Sequence, residues 1–160
     1  MNSAKAYEVS LSGAKIVDPY NFERMNDYVN KLVELRAKKG MTPEEAKKIL
    51  LNDPNFFGAM LIKMGDADGM VSGSASPTAN VLRAAIQVIG TQPGVKTVSS
   101  VFIMELSQFK DLFGSILVFG DCSVIPFPTS EQLADIATSA AETAVKIAGI
   151  NPRVALLTFS

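Results

Sequence analysis

The stretch of residues 58–73 constrains the fold more than any other part of the sequence, because an apolar run ends there in a loop rich in glycine, aspartate and serine. The apolar run, residues 57–64, predicts a buried strand. Beyond the loop, Ser76 suits an N-cap and Pro77 a first helical position, so a helix is predicted over residues 78–89. Glycines let backbone N–H groups approach an anion, and a helix N-terminus favours phosphate. The strand, loop and helix therefore predict a site for a phosphorylated ligand.

Apolar residues at helical spacing and turn signals divide the rest of the chain into elements. Two segments have the form of capping boxes, which mark helix starts: Thr42-Pro43-Glu44-Glu45 and Thr129-Ser130-Glu131-Gln132. The predicted helices cover residues 21–39, 43–51 and 130–147, and the predicted strands cover residues 98–106, 114–119 and 153–159.

Strands that are apolar throughout and alternate with helices favour a largely parallel sheet covered on both faces. The predicted fold class is therefore α/β, with a three-layer α/β/α arrangement. The two strand, loop and helix units are either halves of one sheet or parts of two lobes. In the second case residues 1–95, with the glycine-rich loop, belong to the first lobe and residues 96–160 to the second. The predicted strand near the last residues indicates a piece of a longer protein.

Composition narrows the kinds of partner. With 160 residues, of which 48% are hydrophobic and 19% charged, the chain can bury one good core. A net charge of −1 without a basic run argues against nucleic acid or an anionic membrane as a partner, so any phosphate site must be local. No stretch approaches the roughly 18 apolar residues of a membrane span, and the first residues lack the pattern of a leader. The single cysteine, Cys122, fits a reducing compartment, and we expect a cytoplasmic protein.

The residue types present exclude several kinds of site. The absence of histidine excludes Ser-His-Asp and Cys-His schemes and removes the commonest zinc ligand. Asp66 and Asp68 could open a calcium loop, but its later ligand positions hold Met70 and Pro77, so we expect no metal there. Neither the Gly-x-Gly-x-x-Gly motif nor the Walker loop is present. The two aspartates either shape turns by accepting backbone N–H bonds or orient a ligand or a neighbouring arginine.

Arginines are the clearest candidates for holding an anion. Arg36, Lys38 and Lys39 lie in the last predicted helical turn before Gly40, where they either complement the helix dipole or bind a ligand. Arg83 lies on the second turn of a helix whose neighbouring positions are apolar. Its guanidinium is always charged, so it needs an anionic partner, either a carboxylate or a bound phosphate.

Asp121 and Cys122 follow a predicted strand, in the region where α/β folds place ligand sites. Cys122 is either a reactive thiol or a small buried residue, and no cationic neighbour in the sequence favours its thiolate. Asp121 is either a base or a residue that forms the turn.

One long segment carries the pattern of a known family. Its residues are Lys63-Met64-Gly65-Asp66-Ala67-Asp68-Gly69-Met70-Val71-Ser72-Gly73, followed by Thr78-Ala79 and Leu82-Arg83. Further matches lie at residues 15–19, 34–42, 93–95, 98–102, 119–122, 128–129 and 141–144. Together these segments extend over essentially the whole chain. They resemble the family of phosphate acetyltransferases (phosphotransacetylases) and phosphate butyryltransferases.

The resemblance implies reversible transfer of an acetyl group between acetyl-CoA and inorganic phosphate, which gives acetyl phosphate and CoA. It implies a cleft between two α/β/α lobes of a homodimer, with no metal in the transfer and no cofactor besides the CoA substrate. The residues that it assigns to CoA or phosphate are Arg36 and Arg83, with Ser72, Gly73 and Thr78 at the floor of the cleft. It assigns no catalytic residue within the chain.

Some positions depart from the family pattern. The family has His-Ser-Thr-Ala-Asp where this chain has Ser76-Pro77-Thr78-Ala79-Asn80, Pro where it has Ala84, and Asn-Pro-Asn-Pro where it has Ile125-Pro126-Phe127-Pro128. Family members are longer at both ends, and the Ser-Arg pair and the Asp that act on the thiol and the carbonyl lie beyond the position matching Ser160. We therefore expect much of the substrate cleft without the complete catalytic apparatus. The alternatives are a non-catalytic acetyl-CoA-binding or regulatory module and a phosphate butyryltransferase.

Overall fold

The chain divides into two compact units at Gly90. The structure is a computed structural model, and it describes residues 2–109 and 115–157. Unit 1 reaches Gly90 and unit 2 begins at Thr91. Helices and strands both occur, which confirms a mixed helix and strand fold.

Unit 1 is helical throughout its regular elements in the described part of the chain. Its helices are α1 (Asn2–Ala6), α2 (Met25–Arg36), α3 (Pro43–Asn52), α4 (Pro54–Lys63) and α5 (Thr78–Ala84). A π-helical segment, Ala85–Ile89, continues α5, and short 3-10 turns lie at Pro19–Asn21 and Ala37–Lys39. These bounds confirm the helices predicted over residues 21–39, 43–51 and 78–89, although the first begins four residues late.

Capping residues define the start of α3 and the end of the helical segment before it. Thr42 accepts a bond from the backbone N–H of Glu45, and the Glu45 side chain accepts one from the Thr42 backbone, which confirms the predicted capping box. Gly40 has φ 71°, a left-handed conformation that favours glycine at a helix end.

The strand predicted over residues 57–64 is wrong, because these residues belong mostly to α4. Asp53 caps this helix by accepting bonds from the backbone N–H groups of Asn55 and Phe56, and Pro54 occupies its first position. Helix α4 packs against α3, α5 and the π-helical segment, so most of its surface is apolar. A short apolar run of this kind fits a buried helix and a buried strand equally well by periodicity.

The core of unit 1 lies among α2, α3, α4 and the π-helical segment. Its fully buried large side chains are Tyr28, Leu32, Leu50, Met60 and Val88. At one end of this core the aromatic rings of Phe22, Tyr28 and Phe57 contact each other, and Phe22 meets the other two edge-on with centroids 4.8 Å and 5.2 Å away.

Unit 2 contains a two-stranded sheet and one long helix within the described residues. Strands β1 (Val101–Glu105) and β2 (Ile116–Gly120) pair antiparallel, with Val101 opposite Gly120. Helix α6 (Ser130–Lys146) packs on β2 and begins at Thr129 with the predicted capping box. Gly120 lies against this helix, since a Cβ at that position would be 3.3 Å from the Cβ of Ala140.

The sheet of unit 2 differs from the expected arrangement. Both predicted strands exist in shortened form, but they run antiparallel, whereas we expected a largely parallel sheet. Only residues 106–115 connect them, and a parallel pair needs a crossover of a dozen or more residues. The strand predicted over residues 153–159 is also absent as far as residue 157, since residues 151–157 have no regular structure. Its last two residues, and Gly114 of the earlier strand, lie outside the described residues.

Asp121 organises the turn that follows β2. Its carboxylate accepts bonds from the hydroxyl and the backbone N–H of Ser100, at 2.6 Å and 2.9 Å. It also accepts bonds from the backbone N–H groups of Ser123, Val124 and Ile125. Partial burial raises the pKa of this carboxyl, but the bonds from Ser100, Ile125 and Ser123 lower it by more, to about 2. Asp121 therefore forms the turn, as one of the two interpretations has it.

Replacing a buried leucine of unit 1 tests the core. Leu32→Ala is expected to lower the free energy of unfolding by about 2–5 kcal/mol, because Leu32 is completely buried and the surrounding helices cannot close the cavity. Leu157→Ala is the matched control, since Leu157 is 85% exposed and its truncation should change stability by less than about 0.5 kcal/mol. Urea denaturation followed by circular dichroism measures both, and equal losses would contradict this core.

The carboxylate of Asp121 predicts a specific acid dependence. Its pKa in the fold lies below the ordinary value of 3.8, so it stabilises the fold fully above about pH 4 and loses this contribution as the pH falls towards about 2. Asp121→Asn should lower the melting temperature at neutral pH and weaken its dependence on pH in this acid range. Ser100→Ala removes one donor and should have an intermediate effect. Identical acid transitions for Asp121→Asn and the unsubstituted chain would refute the assignment.

Candidate ligand-binding site

The glycine-rich loop, residues 64–77, connects helices α4 and α5 of unit 1. It therefore follows a helix and not the strand that the sequence predicted. Gly65 and Gly73 have φ 75° and 114°, conformations that side chains with a Cβ rarely adopt, so glycine is required at both positions. In the described part of the chain, the backbone N–H groups of residues 72–75 donate no hydrogen bond. They are free to meet a ligand.

Asp66 fixes the first part of this loop to α2. Nη1 of Arg24 lies 2.6 Å from both of its carboxylate oxygens, and the hydroxyl of the buried Tyr28 donates to Oδ2 at 2.5 Å. The bond from Tyr28 lowers the pKa of Asp66, burial opposes this, and the charges of Arg24 and Lys15 lower it further. Burial and the bond to Asp66 raise the pKa of Tyr28. The aspartate thus orients a neighbouring arginine, which is one of the alternatives that the sequence leaves open.

Asn55 fixes the second part of the loop to α4. Its side-chain amide accepts a bond from the Ser72 hydroxyl at 2.6 Å and donates one to Oγ of Ser76 at 3.1 Å. Sequence reasoning missed Asn55, Arg24 and Tyr28. The signal for Asn55 is an amide at the head of an apolar run, where a polar side chain needs a partner.

The start of α5 differs by one residue from the prediction. Pro77 occupies the N-cap position and Ser76 does not cap the helix, because its hydroxyl oxygen faces Asn55. Of the predicted site residues, Ser72 and Gly73 in the loop and Thr78 at the start of α5 are exposed. The Ser72 hydroxyl donates its hydrogen bond to Asn55, so the backbone N–H of Ser72 is the donor left to meet an anion.

Arg83 is exposed on α5. Its Nη1 donates to Oδ1 of Asn80 at 3.2 Å, and no carboxylate of the described residues forms an ion pair with it. Of the two partners that the sequence leaves open, the carboxylate is therefore not found among these residues. An amide does not neutralise a guanidinium, so the charge of Arg83 is available to an anion.

Arg36 is the last residue of α2. Its Nε is buried and has no hydrogen-bond partner within the described residues. Lys38 and Lys39 are exposed in the 3-10 turn that follows. In the described part of unit 1, no hydrogen bond or ion pair joins Arg36 or Arg83 to the glycine-rich loop.

Unit 2 contributes one further candidate from the sequence, Cys122. It is partly buried, and its Sγ lies 3.1 Å from the carbonyl oxygen of Phe119. Its backbone N–H donates to Oγ of Ser100, the residue that also bonds Asp121. Cys122 therefore belongs to the same turn, and nothing cationic among the described residues bonds its sulfur.

The described residues contain neither a metal-binding cluster nor a helix suited to a membrane. No group of three or more His, Cys, Asp or Glu residues among them is placed to hold a metal ion. None of their helices combines the length and apolarity that a membrane crossing requires.

Comparison with known proteins relates the chain to one protein family. The family model described as phosphate acetyl/butaryl transferase matches residues 1–160. The phosphate acetyltransferase of Nitratidesulfovibrio vulgaris is 49% identical over 152 residues, which are 95% of this chain and 20% of that protein. The phosphate acetyltransferase of Bacillus subtilis is 46% identical over 157 residues, which are 98% of this chain and 46% of that protein.

A solved structure agrees with these relatives. A phosphotransacetylase from Streptococcus pyogenes superposes with a TM-score of 0.84 at 40% identity, over 99% of this chain and 46% of that one. The chain thus spans less than half the length of these relatives. Because a model of the family matches every residue, the chain belongs to the phosphate acetyl/butaryl transferase family.

Proposed function

We propose that the protein to which this chain belongs transfers an acetyl group reversibly between acetyl-CoA and inorganic phosphate. The thioester bond to CoA breaks, a bond forms between the acetyl carbon and a phosphate oxygen, and acetyl phosphate and CoA result. Relatives named phosphate acetyltransferase at 49% and 46% identity support this reaction. They favour acetyl over butyryl transfer, the other activity in the family's description.

The observation that carries this proposal is the charge of Arg83 on the helix after the glycine-rich loop, where an amide is its only hydrogen-bond partner among the described residues. An always-charged guanidinium and several free backbone N–H groups suit phosphate oxygens, which are anionic acceptors. We assign contacts with the phosphate groups of CoA or with the transferred phosphate to Arg83, to the loop residues Ser72 and Gly73, and to Thr78 at the start of α5. Arg36, whose buried Nε has no hydrogen-bond partner among the described residues, is the fifth such residue. No catalytic residue is assigned.

The architecture of the whole protein is part of the proposal. Strand residues of β1 and β2 form a face on which Phe102 lies opposite Phe119 and Met104 opposite Leu117. Phe102 is 60% exposed and Phe119 51% exposed, and strands this apolar are typical of sheets covered on both faces. This exposed face supports a three-layer α/β/α lobe to which residues 96–160 belong, and residues 1–95 belong to a first lobe. The resemblance to the family supports a homodimer, and the single cysteine supports a cytoplasmic location.

Removal of the Arg83 charge tests the site. Arg83→Ala should raise the dissociation constant for CoA by about 10-fold or more, because a charge-assisted bond to phosphate contributes about 1.5–3 kcal/mol. Titration calorimetry of the 160-residue chain with CoA measures the change. Lys47→Ala is the control, since it also removes one positive charge but lies exposed on α3. Equal affinities of Arg83→Ala and Lys47→Ala would remove Arg83 from the site.

The same titrations separate the alternatives. Binding of phosphate or a nucleotide as strong as that of CoA would contradict a CoA site. Tight binding of acetyl-CoA by the complete protein, without release of CoA when phosphate is added, would contradict acetyl transfer and favour a non-catalytic acetyl-CoA-binding module. The departures from the family pattern at residues 76–80 are the observation in favour of that second candidate.

A further inference from the structure

Asn55 is a buried polar residue with no part in the ligand contacts assigned above. It lies in the first turn of α4, is 3% exposed and has the buried apolar residues Phe56 and Phe57 beside it in the chain. An amide buried in such surroundings destabilises the fold unless it is hydrogen-bonded, and both of its groups are bonded to the glycine-rich loop. The amide thus has a defined orientation with respect to the loop.

A second contact on the same face of α4 also places the loop against this helix. Gly58 lies three positions after Asn55, so the two residues share one side of the helix. A Cβ at Gly58 would lie 2.6 Å from Sδ of Met70, so this loop side chain packs directly on the backbone of α4 and would have to shift for any larger residue at position 58. Asn55 and Gly58 therefore hold the segment from Met70 to Ser76 against α4.

The direction of the two bonds to Asn55 distinguishes the two serines. The carbonyl oxygen of Asn55 accepts a hydrogen bond from the Ser72 hydroxyl, so this hydroxyl cannot donate to a ligand at the same time. The amide nitrogen of Asn55 donates to Oγ of Ser76, so the Ser76 hydroxyl accepts there and keeps its own proton. No other partner of the Ser76 hydroxyl occurs within the described residues.

We propose that the Ser76 hydroxyl donates a hydrogen bond to the anionic ligand. Asn55 is the positioning residue that orients this hydroxyl towards the ligand. The inference rests on the proposed function, since it needs a phosphate group next to residues 72–76. Asn55 does not touch the ligand and acts only through Ser76. The contacts with α4 and the bonds of Asp66 to α2 hold the loop in place before a ligand arrives. Binding therefore loses little entropy through ordering of the loop.

Three substitutions test the arrangement by titration with CoA and with inorganic phosphate. Ser76→Ala should weaken binding of CoA about 10-fold, and Ser76→Thr, which keeps the hydroxyl, should restore most of the affinity. Asn55→Leu should weaken binding to a similar extent. In a chain that already carries Ser76→Ala, Asn55→Leu should weaken it little further, because the two residues act through one proton. Asn52→Leu is the matched control, since Asn52 is exposed and its amide bonds only the backbone of α3.

The outcomes separate this inference from the proposed function. If the unsubstituted chain binds CoA and Ser76→Ala binds it equally well, the inference is wrong and the CoA site stands. Fully additive losses from Ser76→Ala and Asn55→Leu would show that Asn55 acts on the loop and not through Ser76. If Asn55→Leu does not fold, as circular dichroism would show, the comparison of Ser76→Ala with Ser76→Thr still decides. If the unsubstituted chain binds neither CoA nor phosphate, both proposals fail.

Discussion

Burial of helix α4 on several sides is the constraint on which unit 1 depends. The helix packs against α3, α5 and the π-helical segment, and the buried side chains of Phe57 and Met60 lie among its neighbours. Because it is so enclosed, α4 is a rigid base for the loop that follows it. The two positions that hold this loop, Asn55 and Gly58, interrupt the apolar residues in the first half of the helix, and each contacts the loop.

Local signals predicted the helices well. Thr42 with Glu45 and Thr129 with Gln132 form capping boxes that can be recognised in the sequence, since both partners lie within one helical turn. The run over residues 57–64 was misassigned because an apolar segment without alternation carries no period, so the choice between helix and strand depends on neighbours distant in sequence. The cap at Asp53 was present in the sequence but was interpreted only as the end of the preceding helix.

The site was also only partly predictable, because its contacts join residues that are distant in sequence. Glycine content and an isolated arginine indicate a loop that needs glycine conformations and an available charge, and both features are found, at Gly73 and Arg83. The contacts that fix the loop link residues 17 to 42 positions apart, such as Asn55 with Ser72 and Arg24 with Asp66. No local pattern specifies such pairs. The antiparallel pairing of β1 with β2 was missed because the strands' apolar composition suggested burial on both faces and gave no direction.

The open face of the hairpin in unit 2 affects how variants of this protein behave. A patch that presents Phe102, Met104 and Phe119 to solvent favours self-association during synthesis and purification, when nothing else covers it. Substitutions that disturb the hairpin would therefore reduce the yield of soluble protein before they changed any binding constant. Solubility screening is accordingly the assay that reports on unit 2, while ligand titration reports on unit 1.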